Sequence, residues 1–216
     1  MDGTLVDTEP YWMAAETSLV ESFGGTWSHE DALQLVGNGL IDSAIILQNA
    51  GVDMDAEAIV SLLTDRVQHS LRTQGVPFRP GARELLKDLR SAGIPTGLVT
   101  MSLRRMALSV VDLIEFDAFD IVVAGDDVDN PKPHPEPYLH AAALLDIDIA
   151  DAVVIEDSPT GLRAGIASGA VALGVPHIVP LEGVGAHELW PTLEGRGAAD
   201  LVDLFDRRST MTGATR

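Results

Sequence analysis

Cysteine is absent from the 216 residues. That excludes a disulfide scaffold, a thiolate zinc site and a cysteine nucleophile. Positive charge is scarce: 14 Lys and Arg stand against 33 Asp and Glu, a formal net charge of −19. Binding to a nucleic-acid backbone or an anionic membrane surface needs clustered Lys and Arg, so neither is expected as a partner. Long apolar runs are also missing. The longest are as short as residues 121–124, which cannot span a bilayer. No basic stretch leads into an apolar segment at the start, so no signal peptide is expected. The 6 histidines show no His-x-x-x-His spacing, so a zinc site is not expected either. What these absences leave is a soluble, cytoplasmic, monomeric globular protein. At ~150 residues per domain it is one large domain, or one domain with an insertion.

From Gly93 onward, short Val- and Ile-rich runs alternate with helix-period segments. Residues 94–100, 119–124, 152–155 and 171–174 read as strands; 103–114, 135–145 and 160–168 read as helices. Strands apolar throughout and separated by helices predict a Rossmann-like α/β core, a parallel sheet with helices on both faces. Such sheets bind ligands at the carboxyl ends of their strands. Residues 10–77 differ. Their apolar positions recur every three or four residues, as in Leu33, Leu35 and Val36, or Ile59, Leu62, Leu63 and Val67. This predicts an all-helical insert of about four helices. Breakers flank it, at Pro10 on entry and at Gly75, Pro77, Pro80 and Gly81 on exit. The expected organisation is a core of 1–9 and 78–206, a helical cap of 10–77, and a flexible polar tail of 207–216.

Four polar clusters fall where strands end. They are Asp2-Gly3-Thr4 with Asp7, then Thr100, then Lys132, then Glu156-Asp157-Ser158. Singly, each has a bland reading: a carboxylate after a strand is often a helix N-cap, and a lone lysine is usually a solvated charge. Four in series, at the carboxyl edge of one inferred sheet, point to a site instead.

In these residues the sequence resembles the haloacid dehalogenase (HAD) superfamily of phosphotransferases. Within it, the chain is most similar to the β-phosphoglucomutase-like phosphatases with a helical cap. The family opens with Asp-x-Asp-Gly-Thr, and Met1-Asp2-Gly3-Thr4 matches the last four positions. A strand ending in Ser or Thr is matched by Thr100, and a lysine before a helix by Lys132. A strand ending in acidic residues is matched by Glu156-Asp157. The resemblance implies a magnesium-dependent phosphatase acting on a small phosphorylated metabolite, such as a sugar phosphate, through an aspartyl-phosphate. It implies catalytic roles for Asp2, Thr100 and Lys132, with Asp2 as general acid and base. Phosphate would meet Gly3, Thr100, Met101 and Lys132. Mg2+ would be held by Asp2, Glu156 and Asp157, hard oxygen donors suited to that ion. The loop Gly37-Asn38-Gly39 between two cap helices would help choose the substrate.

One departure matters. In the family pattern the nucleophilic Asp stands one residue before Met1, so the expectation is an enzyme with roughly 5–15 further N-terminal residues carrying a strand. Two other readings stay open. A phosphomutase needs a grip on a second phosphate, which the uncharged loop around Gly37 does not offer. A catalytically dead binding or regulatory protein is the other. Dehalogenase chemistry has no use for an acid at Asp2.

Overall fold

A computed structural model describes residues 1–36 and 38–213, with side chains as far as Arg208. Local signals account for most of its elements. Helix α1 (Glu9–Ser22) starts with Pro10 in its first turn, where a missing N–H is harmless. Helix α2 (His29–Leu33) starts at Ser28, whose hydroxyl accepts from Asp31 N at 3.1 Å while the Asp31 carboxylate accepts from Ser28 N at 2.8 Å. This reciprocal box satisfies two orphan donors. Helix α3 (Leu40–Asn49) follows, then α4 (Ala56–Gln74), which opens on Asp55 and stops at Gly75 with φ 97°. Buried Ile59, Leu63, Val67 and Leu71 form the inward stripe of α4, and α1 and α3 pack against it. The region expected to hold about four helices holds four among its described residues.

Beyond the insert come α5 (Ala82–Ser91), β1 (Gly97–Val99), α6 (Arg104–Val111) and β2 (Ile121–Val123). Then follow α7 (Glu136–Leu144), β3 (Val153–Glu156), α8 (Pro159–Ser168), β4 (Val171–Gly174), β5 (Glu188–Leu189) and α9 (Ala198–Gly213). The strand–helix alternation matches the sequence expectation, and every named strand pair is parallel. Strand β4 is buried along its whole length, as its unbroken apolar sequence requires.

The single sheet that was expected is divided. Among the described residues β1 pairs only with β2, and β3, β4 and β5 form a second sheet. The first residues turn tightly instead of extending. Leu5 N and Val6 N both donate to Met1 O, and Gly3 N donates to Val6 O. Met1, Leu5 and Val6 still join the main core, with Leu98 of β1 and Leu173 of β4. Helix α9 continues to Gly213, into the segment expected to be a flexible tail, because buried Leu201 and Leu204 anchor its first turns. Residues 214–216 of that tail lie outside the described residues.

The chain enters and leaves the helical insert side by side. Asp7 N donates to Pro77 O at 2.7 Å, Arg79 N donates to Leu5 O at 2.9 Å, and Val6 bridges Phe78. A further contact between the insert and the core was not legible in the sequence. Arg105 on α6 donates to Gln68 Oε1 and to Ser61 O on α4 and pairs with Asp65, while Gln68 Nε2 donates back to Arg105 O and Ser109 Oγ.

Candidate active site

Strand ends deliver the polar side chains to one place. Thr100 follows β1 directly, Glu156 closes β3, and Asp157 comes next. Together with Asp2, Met101 and Lys132 they line a cleft of about 370 Å³ beneath the helical insert. Four clusters separated by up to 155 positions in the chain thus converge (Asp2 to Asp157).

Asp2 is fixed on both sides. The Thr8 hydroxyl donates to Oδ1, and the Ser102 hydroxyl donates to Oδ2 at 2.8 Å. Ser102 N donates in turn to Thr100 Oγ1 at 3.1 Å, so the end of β1 and the start of the chain form one network. Thr8, Thr100 and Ser102 are all buried. Gly3 has φ 74°, and a Cβ there would sit 1.9 Å from Asp157 Oδ2. Only glycine therefore lets the first turn reach the Asp157 carboxylate. Gly3 was expected to bring backbone to phosphate. Its N–H is instead spent on Val6 O at 2.7 Å, so its close approach is to Asp157.

Lys132 ties the two sheets together at their carboxyl ends. Its Nζ donates to Val99 O of β1 at 3.1 Å and to Glu156 Oε1 of β3 at 2.6 Å. It also lies 4.7 Å from the Tyr138 ring centroid, whose hydroxyl donates to the same Glu156 oxygen. Burial pushes the Glu156 carboxyl up, while the Lys132 charge and hydrogen bonds from Lys132 and Tyr138 pull it down, and it lies below the usual range. Burial and the neighbouring Glu156 charge drive the Tyr138 hydroxyl well above its ordinary value. Asp157 goes the other way. Burial and the adjacent Glu156 charge raise it to about 6, against a 2.7 Å hydrogen bond from Thr4.

With this geometry in view, the comparisons with known proteins are direct. The sequence model of the haloacid dehalogenase-like hydrolase family matches residues 1–175. The chain belongs to the haloacid dehalogenase-like hydrolases. It is 31% identical over 180 residues to hexitol phosphatase B of Escherichia coli (strain K12), covering 82% of this chain and 81% of that protein. It is 29% identical over 182 residues to a bifunctional riboflavin kinase/FMN phosphatase of Arabidopsis thaliana. That match covers 82% of this chain but only 47% of the larger protein. The crystal structure of CbbY from Rhodobacter sphaeroides in complex with phosphate superposes with a TM-score of 0.82 at 26% identity, covering 94% of this chain and 96% of that one.

The insert closes the cleft with an acidic wall. Glu9 and Glu16 of α1 both line it, as do Asn38 and Gly39 from the loop expected to face the substrate. Gly37 of that loop lies outside the described residues. Burial first, then the charges of Asp2, Glu16, Asp157 and Asp7, raise Glu9 to about 8. Burial raises Glu16 to about 7, partly offset by the Trp27 indole N–H.

Several of these residues were not singled out from the sequence. Glu16 carried a signal, since it precedes Leu19 and Val20 by three and four residues and so sits on their buried stripe. Ser102, two residues past a strand end, carried a weaker one. Tyr138 carried none, because only the fold brings it to Glu156. Asp7 does not cap α1, which Thr8 precedes; its Oδ1 lies 3.0 Å from His177 Nε2 beyond β4.

Proposed function

We propose that this hydrolase is a magnesium-dependent phosphatase of small phosphorylated metabolites such as sugar phosphates, acting through an aspartyl-phosphate. The observation that carries the reading is the convergence of Asp2, Thr100, Lys132 and Asp157 at the strand ends of one cleft. The similarity to a hexitol phosphatase supports the substrate class.

In the proposed reaction the attacking carboxylate occupies the position directly before Met1, where the family pattern has it. Its oxygen bonds to phosphorus while the ester P–O bond breaks. Asp2, oriented by Thr8 and Ser102, gives its proton to the departing alkoxide oxygen. Asp2 then takes a proton from water, which attacks the aspartyl-phosphate and releases inorganic phosphate. Thr100 donates its hydroxyl to a phosphoryl oxygen, and Lys132 neutralises another. Glu156 holds Lys132 in place.

The donor chemistry fits magnesium. Among the described residues no group of three or more His, Cys, Asp or Glu converges as a metal cage. Mg2+ does not need one, because it binds through one or two carboxylates and keeps several waters. Asp157, raised to about 6 by burial and the Glu156 charge, is a buried oxygen donor with excess negative charge beside it. Asp157 and the Asp2 main-chain carbonyl would hold the ion. Glu156, proposed from the resemblance as a further ligand, has Oε1 engaged by Lys132 and Tyr138, so its part is to support them. When bound, the ion would supply charge neutralisation for the transferring group.

The test is inorganic phosphate release from an aryl phosphate, with and without Mg2+. It compares residues 1–216 with a polypeptide extended upstream by an apolar strand ending in Asp. The extended protein is expected to turn over and residues 1–216 to fall orders of magnitude lower, because covalent catalysis fails as a unit. In the extended protein Asp2→Asn abolishes turnover, and Asp157→Asn raises the Mg2+ concentration required. Full activity from residues 1–216 would reassign the nucleophile to a residue within them.

A further inference from the structure

We propose that His177 is a positioning residue for the helical insert: paired with Asp7, it latches the hinge to the loop after β4 and holds the insert over the cleft. The proposal goes beyond the phosphatase reading and does not rest on it. The chain leaves the core through residues 5–7 and returns through residues 77–79, and the two crossings are bonded to each other. Both also meet one loop, residues 175–179. Asp7 Oδ1 on the outgoing crossing lies 3.0 Å from His177 Nε2. Arg79 Nη2 on the returning crossing donates to Pro176 O at 3.4 Å. The loop's own footing is at the candidate active site, where Val175 N donates to Glu156 O at 2.7 Å and the Val175 side chain is buried in the main core. His177, Ile178 and Val179 then line the cleft together with Glu9 and Trp12 of α1.

The Asp7–His177 contact is what makes the loop a latch. Asp7 Oδ1 and His177 Nε2 are both buried, and neither has a well-aligned hydrogen bond to any other group. Each has given up water, and what each finds in return is the other. Two lone pairs facing each other would repel, so the proton of this contact sits on Nε2. The pair also offsets repulsion at the root of α1, because the Asp7 charge acts on Glu9 in the first turn of that helix and helps to raise its carboxyl. Asp7 N is bonded to Pro77 O at 2.7 Å, so a grip on Asp7 is a grip on both crossings. Turning the insert about its hinge while the loop stays on Glu156 pulls this pair apart and exposes a carboxylate without its partner.

The test is hydrogen exchange of the ligand-free full chain, read by mass spectrometry on peptides covering residues 5–9 and 76–80. The reporting amides are Asp7 N, bonded to Pro77 O, and Arg79 N, bonded to Leu5 O. His177→Leu removes the donor at similar volume and should lower hinge protection by about tenfold or more, while β3 and β4 keep theirs. His177→Lys restores a cationic donor and should return hinge protection to within about threefold of wild type. Asp7→Ala should reproduce the loss from the other side, and it decides the matter if His177→Leu does not fold. Small-angle scattering of the same samples should give a larger radius of gyration for His177→Leu, with wild type and His177→Lys alike. Hinge protection that His177→Leu leaves unchanged, a loss that His177→Lys does not repair, or a loss shared equally by β3 and β4 overturns the latch. Identical scattering from wild type and His177→Leu overturns it as well. These measurements need no substrate, so the latch and the phosphatase reading fail separately.

Discussion

Glu16 has a consequence for stability that can be measured without a substrate. Its carboxyl sits near 4.5 in the unfolded chain and is raised to about 7 in the fold, chiefly by burial. Between those values the folded chain holds a proton that the unfolded chain has released. Stability from this group is therefore full below about pH 4.5, falls as pH rises toward 7, and is flat above. The span corresponds to on the order of 3 kcal/mol. The groups facing Glu16 are Trp27, which opposes the shift, and Glu9 on the same helix. Glu16→Gln removes the ionisation while keeping the shape. Urea unfolding between pH 5 and pH 8 should show the variant gaining on wild type steadily as pH rises. A stability difference that does not change with pH would refute the buried, raised carboxyl. The same residue shows where sequence reading stopped. Thr100 and Asp157 were legible because a polar group after an apolar strand stands out, and Asp2 and Lys132 because of the motifs around them. For Glu16 the helical spacing to Leu19 and Val20 hinted at burial, but nothing in the sequence placed it on the cleft.

At the scale of elements, what was legible followed from local periodicity. The four helices of the insert, the parallel strands and the helices between them all come from patterns a few residues long. Strand β5 escaped because Glu188–Leu189 is only two residues, too short for any alternation to register. The pairing of β1 with β2, and of β3, β4 and β5 in a second sheet, is a tertiary outcome that no local pattern fixes. The clasp between α4 and α6 escaped for a related reason. Arg105 and Gln68 are 37 positions apart, and nothing local links them. Exposed ion pairs are individually worth about 0–1 kcal/mol. This cluster adds a reciprocal amide: Gln68 accepts from Arg105 Nη1 at 2.7 Å and donates to Arg105 O at 2.9 Å. A double-mutant cycle with Gln68→Ala and Arg105→Ala should give a coupling energy of about 1 kcal/mol by urea unfolding. Strict additivity would show that this polar clasp adds no coupling between α4 and α6.

For the molecule as a whole, the dominant electrostatic fact is the net charge of −19. A phosphate monoester approaching the proposed active site carries about two negative charges near neutral pH. Glu9, Glu16 and Asp42 line the same cleft as Lys132, and Glu9 and Glu16, raised to about 8 and about 7, carry less than full charge near neutral pH. The long-range field opposes encounter, while Lys132 and the proposed metal attract only at close range. Salt separates these contributions, because the Debye length shrinks from ~30 Å at 0.01 M to ~10 Å at 0.1 M ionic strength. Screening at that distance weakens the summed repulsion of the surface and leaves the buried contacts almost untouched. At saturating Mg2+, kcat/KM for a dianionic ester should therefore rise about threefold to tenfold across that salt range. The turnover number should stay level, since chemistry occurs behind the acidic wall and not in its outer field. A cleft that steers its substrate by local positive charge gives the opposite slope, with kcat/KM falling as salt is added. That outcome would place Lys132 and the bound cation, rather than the net charge, in control of substrate entry.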